Sequence, residues 1–232
     1  MEINFNEQEK VSFRSFLIFS LFLLIILNTA FTLNSAYFRV SKVQVISNSE
    51  MFDEADLIKP ALGQSIWLVN NDTFTDNMRQ IPTIESVVIS KEYPNKITIE
   101  LKEYDRIITI TDLRGSVPKK STLYKNMIEI ESDEIFFIPS LTITNGPVPT
   151  GFNGEMVSLI MTLKSYNLDV NSFNFTYNGG SFIGEYRSTI IDFGKPLDLG
   201  SKSSALGSLI ENSECQGEIR FISKEDLIVN CS

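Results

Sequence analysis

The side chains able to do chemistry are few, and their spacing suits catalysis poorly. The chain contains no histidine, which removes the usual general base and a common zinc ligand and excludes any triad that relies on imidazole. Its two cysteines, Cys215 and Cys231, are too few and too far apart for a zinc site. Adjacent acids occur at Asp133/Glu134 and Glu225/Asp226. A glycosidase needs two carboxylates facing each other across a cleft, whereas these pairs lie in turn-like sequence and read as solvated surface. Asp53, Glu54 and Asp56 form a third acidic group. A helix N-cap at Asp53, with acids in the first turn where the helix dipole favours them, accounts for it better than a metal site. There is no phosphate-cradling glycine loop and no nucleophile elbow. These observations point to no enzyme, no metal and no cofactor, and leave binding as the chemistry to explain.

Binding must then come from backbone and apolar surface. The 232 residues carry 20 basic and 29 acidic side chains, a formal net charge of -9, which disfavours nucleic acid as a partner. The segment from Ser15 to Ala36 holds 22 residues without a charge. As a helix it would be about 33 Å long, enough to cross a bilayer core. It exceeds the roughly 7–15 apolar residues of a cleavable signal, and its best small-residue end, Asn34-Ser35-Ala36, is a poor cleavage site. An uncleaved transmembrane anchor at 15–36 is therefore expected, after a polar leader at 1–14. Lys10 and Arg14 precede it and Arg39 and Lys42 follow it, so the count of flanking positive charges does not orient it.

After the anchor the periodicity changes. Residues 38–47 (FRVSKVQVIS) read as a strand, with Val43 and Val45 on one face. Leu57, Ile58 and Leu62 give a helical stripe ended by Pro60 and Gly63. Phe74, Met78 and Ile81 give a second. Trp67, the sole tryptophan, is expected to pack in the core or at a domain contact. Val87 and Ile89, then Ile97, Ile99 and Leu101, alternate with polar residues across the turn Tyr93-Pro94-Asn95, which is the pattern of a half-buried hairpin. The order is strand, two helices, then a two-stranded hairpin. Beyond about residue 107 short β-rich runs dominate: IITITD, MIEI, IFFIP, LTIT, FNFTY, SFIGEY and STIIDF. Helices are expected at 154–166 and 201–212, and two final strands around Lys224. The class is α+β, with a mainly antiparallel sheet and flanking helices. The last strand, which includes Leu227, Ile228, Val229 and Asn230, is expected at a sheet edge, where unpaired backbone groups can accept a partner strand.

Taken in order, these segments resemble the FtsQ/DivIB family of bacterial cell-division proteins, whose β-α-α-β-β module is a POTRA domain. The likeness lies in VQVISN (43–48), GQSIWLV (63–69), the run from Ile81-Pro82 through the aromatic-Pro turn to Glu103-x-x-Arg106, Ile138-Pro139-Ser140-Leu141, the glycine turn and lysine-bearing helix of residues 190–210, and GEIRFIS (217–223). Ser47 stands where the family usually has glycine, Tyr93 where tryptophan is frequent, and Ile107-Ile108 where a proline often follows. The resemblance implies a POTRA domain at 37–106 and a β domain at 107–232. It implies residues 1–14 in the cytoplasm and the remainder outside the cell membrane at the division septum. It also implies single-pass partners of the FtsB/DivIC and FtsL types, held by Leu227, Ile228, Val229 and Asn230. A POTRA protein that handles or secretes polypeptides is the alternative. In an oxidising compartment Cys215 and Cys231 could be bonded, since a hairpin turning at Ser223 would set them opposite each other; two free thiols are the other possibility.

Overall fold

The computed structural model describes residues 6–47, 59–134, 136–212, 216–224 and 226–231. The chain divides into two compact units, Met1–Glu103 and Tyr104–Ser232.

The first unit opens with helix α1 (Asn6–Asn34). Its stretch from Phe13 to Asn34 has a mean hydropathy of 2.4 and none of it is buried. The helix thus starts earlier than the apolar run and stops at Asn34, two residues short of the expected end. A single 3-10 turn, Ala36–Phe38, follows, capped by the Ser35 side chain. Strand β1 (Lys42–Ser47) then runs parallel to β3 (Lys96–Glu103), and β2 (Ile84–Glu92) pairs antiparallel with β3 on its other side, in the order β1-β3-β2. The alternation in β3 works as expected: Ile97, Ile99 and Leu101 are buried. They meet Val87 and Met78, the latter from helix α2 (Asn71–Arg79). Asn70 caps α2 through its side chain, and Phe74, Met78 and Ile81 join this core. Thr98, on the face expected to be wet, is buried, and its hydroxyl is satisfied by donating to Glu92 Oε1 at 2.6 Å.

One expectation changes here, and another falls largely outside the described residues. The helix capped at Asp53, with Glu54, Asp56, Leu57 and Ile58, lies outside the described residues; Leu62, placed on its stripe, is exposed, and Ala61 is the buried neighbour. Trp67, expected as packing in the core or at a domain contact, is 43% exposed and stacks on Tyr93 with ring centroids 4.5 Å apart.

The second unit is a nine-stranded mixed sheet in the order β12-β11-β10-β9-β8-β7-β4-β5-β6. Its strands are β4 (Arg106–Asp112), β5 (Lys119–Tyr124), β6 (Glu129–Glu131), β7 (Ser140–Ile143), β8 (Phe173–Tyr177), β9 (Phe182–Tyr186), β10 (Thr189–Gly194), β11 (Gly217–Phe221) and β12 (Leu227–Cys231). Most neighbouring pairs are antiparallel. The pairs β4–β7, β7–β8 and β10–β11 are parallel. Parallel neighbours need a crossover long enough to return the chain; helix α3 (Phe152–Ser165) supplies it between β7 and β8, and α4 (Leu199–Asn212) between β10 and β11. Helix α3 buries Phe152, Met156, Leu159, Ile160 and Leu163. The expected Val157 and Met161 flank that stripe as partly buried residues.

Aromatic rings fill the centre. Phe175 stacks on Phe182, Phe173 on Tyr186, and Phe193 on Phe221. One strand expectation fails: the described part of the IFFIP run, residues 136–139, is not a strand, and Phe137 is 86% exposed in a bend leading to β7. Strand β5 was absent from the periodicity reading, because its Ser121-Thr122-Leu123-Tyr124 are buried in succession rather than alternately.

Candidate functional site

The residues singled out for binding lie in β12, and β12 is one of the two outermost strands of the nine-stranded sheet. It pairs with β11 along its whole length, from Phe221↔Leu227 to Gly217↔Cys231. That register centres the hairpin on Lys224 rather than Ser223. Leu227 is the inward anchor, packed against the aromatic core. Ile228 and Val229 stay 54% and 41% exposed, and Asn230 is exposed too. Among the described residues, β12 meets no strand on its outer side. It offers a row of backbone donors and acceptors together with apolar side chains, and an extended peptide can pair with that combination.

Three local features hold this edge in place. The turn is closed by Ser223 and Asp226: the Ser223 hydroxyl donates to Asp226 Oδ2 at 2.9 Å and accepts from the Asp226 N–H at 3.1 Å. Behind it, Phe221 of β11 lies flat on Phe193 of β10, with centroids 5.5 Å apart. At the far end Gly217 lets the strands close. A Cβ there would sit 2.2 Å from the Asn230 carbonyl oxygen and 3.3 Å from Cys231 Cα, so any side chain would push β12 outward.

Farther back, Lys202 on α4 fastens the β10–α4 connection. Its ammonium donates to the carbonyls of Phe193 at 2.7 Å and Lys195 at 3.0 Å. Burial pushes its pKa below the usual lysine value, partly offset by Asp198, Glu155 and Asp192. Glu155 of α3 accepts the Leu199 N–H at 2.7 Å, at the first residue of α4. On the surface of β10 and β11, Arg220 reaches Asp192 at 3.4 Å and Glu218 at 2.8 Å.

The other residues weighed for chemistry do not gather. Asp133 and Glu134 are exposed in the loop after β6. Asp226 serves the β11–β12 turn, and Glu225 lies outside the described residues. Among the described residues no group of acids, histidines or cysteines has the arrangement of a metal site. Cys231 ends β12, while Cys215 lies outside the described residues. Sequence reasoning missed Gly217 and Lys202 as supports of the edge. The one available signal for Gly217 was its place at the head of a β-rich run.

The model of the FtsQ-type POTRA domain matches residues 37–104. The cell division protein DivIB of Clostridium acetobutylicum is 23% identical over 177 residues, covering 73% of this chain and 70% of that protein. DivIB of Clostridium tetani is 26% identical over 214 residues, covering 86% and 80%. The chain thus carries an FtsQ-type POTRA domain directly after an apolar helix, and over most of its length it is similar to two DivIB cell-division proteins.

Proposed function

We propose that this chain is a membrane-anchored scaffold of the division machinery, which holds single-pass partners of the FtsB/DivIC and FtsL types by strand addition at β12. The observation that carries the reading is the open outer side of β12, with Ile228 and Val229 exposed beside it. In this reading α1 spans the membrane, residues 1–14 are cytoplasmic, and a POTRA domain at 37–106 and a β domain at 107–232 lie outside. Anchoring confines the domains to a layer, which raises the effective concentration for weak contacts with other anchored proteins.

A cystine between Cys215 and Cys231 belongs to the same reading. Among the described residues no cysteine is free, and a bond there would tie the end of β12 to the approach to β11. Alkylation mass analysis with and without reductant tests it, and equal labelling in both samples rejects it.

Two experiments test the scaffold role. A fluorescent fusion should form a midcell band in dividing cells; an even membrane outline argues against the proposal. Co-purification with an FtsB/DivIC-type partner should drop about tenfold or more on Ile228→Pro, which removes a backbone donor and bends the edge. Undiminished capture by a folded Ile228→Pro chain would sink strand addition. Protease shaving of intact cells tests the topology: the domains should be cut and the leader spared.

A further inference from the structure

One end of the first unit is built unlike the rest of it. The chain leaves α1 at Asn34 and enters β1 at Lys42, so at a full extension of about 3.3–3.6 Å per residue that end lies within roughly 30 Å of the helix. Backbone hydrogen bonds bring two further segments beside this connection. Ile66 N–H donates to the Phe38 carbonyl at 2.8 Å, Val40 N–H to Gln64 at 2.9 Å, and Gly63 N–H to Val40 at 2.9 Å. Ser41 and Lys42 N–H groups both donate to the Asn95 carbonyl. The Gln64–Val69 loop and the β2–β3 turn are therefore held where the chain comes off the helix.

The side chains there are aromatic, apolar and basic. Phe38, Trp67 and Tyr93 form a continuous row of rings, with centroids 5.6 and 4.5 Å apart. Trp67, Tyr93, Tyr37 and Leu68 are all exposed, Leu68 by 66%. Arg39 and Lys42 are exposed at the same end, and Lys42 faces Lys96 across the parallel pair. The acids nearby are Asp72, in the first turn of α2, and Glu92, which Lys96 engages at 3.0 Å. Tryptophan and tyrosine rings, apolar in body and polar at one edge, favour the headgroup level of a bilayer, and basic residues are drawn to anionic headgroups.

We propose that Trp67, Leu68, Tyr93 and Tyr37, with Arg39 and Lys42, form a second membrane contact, which seats this end of the module in the headgroup layer of the bilayer that α1 crosses. The proposal rests on the reading of α1 as a span. It replaces a module swinging on a tether with one held in a fixed attitude to the membrane.

Trp67 is the only tryptophan, so its emission reports on this contact alone. The full chain would be reconstituted into phosphatidylcholine vesicles containing phosphatidylglycerol, with and without lipids brominated near the headgroup end of the acyl chains. Flotation of the vesicles tests the span separately. The expected result is a blue-shifted emission, quenched by the brominated lipid and shielded several-fold from aqueous acrylamide. Leu68→Asp, at an exposed position, should at least halve the lipid quenching while the circular dichroism stays unchanged. A chain that floats with the vesicles but shows water-like emission, indifferent to the lipid label, overturns the second contact and leaves the span standing. Failure to float overturns the span reading and this one with it. Quenching that Leu68→Asp does not alter, or shielding that appears only when a second protein is added, also overturns it.

Discussion

The two ends of the nine-stranded sheet solve the same problem differently. Strand β6 at one end has three residues, and acids flank its single isoleucine. Glu129 accepts the Ser121 hydroxyl at 2.5 Å and Glu131 lies 3.6 Å from Lys119. Short length and charge are the usual devices that stop an edge from recruiting another strand. Strand β12 at the other end has five residues, with Ile228 and Val229 uncovered and no charged side chain of its own. An edge left unblunted while its counterpart is protected is what supports the proposal of binding at β12.

The largest expected effect comes from removing the close approach at Gly217. Gly217→Val would place a branched side chain against the Asn230 carbonyl, so β12 should detach and partner capture should fall below detection. Overpacking of this kind costs about 1–3 kcal/mol, measurable by denaturant melts, and retained capture would break the contrast between the edges. Lys202→Met comes next. It leaves the carbonyls of Phe193 and Lys195 without their buried donor and should cost roughly 1–3 kcal/mol of stability. Unperturbed melting would mean that the β10–α4 connection does not depend on that ammonium.

Reversing the two edges is a sharper test. The double substitution Glu129→Val, Glu131→Val should turn β6 into a sticky edge, seen as concentration-dependent self-association in sedimentation velocity. Ile228→Lys should give β12 the protection that β6 has, weakening partner capture while shifting stability by less than about 0.5 kcal/mol, as expected for an exposed site. If Ile228→Lys binds normally, exposed apolar side chains are not what marks the docking edge. The smallest effect concerns acid. On the β6 side of the sheet, Asp112 is gripped by Arg114 at 2.6 and 2.9 Å, and chiefly for that reason its pKa falls from 3.8 to about 2. A carboxyl depressed on folding adds stability that is complete above the unfolded value and is lost as pH falls from about 4 through about 2. Acid melts of Asp112→Asn should therefore show a flatter loss over that window, and an unchanged slope would remove Asp112 from the account.

Much of this arrangement was legible because it follows from simple periodicities. The β2–β3 hairpin alternates, so Ile97, Ile99 and Leu101 announced their face. The strands from β7 to β10 alternate around turn residues, and β12 at an edge was foreseen. What stayed hidden depends on tertiary context. Strand β5 buries Ser121 and Thr122 alongside Leu123 and Tyr124, so no alternation marks it. Ile135 to Pro139 looked like a strand by propensity, yet Phe137 points to solvent. Trp67 was expected in the core or at a domain contact, but the core of the first unit closes on Ile66 and Val69 instead. Gly217 and Lys202 matter through atoms of neighbouring strands, Asn230 of β12 for one and Phe193 of β10 for the other, and no periodicity encodes that.

The unguarded flank of β12 also bears on stoichiometry. A ribbon that joins it becomes the new boundary of the sheet and inherits the same exposure, so growth could continue from copy to copy. Assembly that ends at a defined complex therefore requires the incoming segment to be short, charged or sheltered on its far side, and that terminator has to be supplied by the guest rather than by the host.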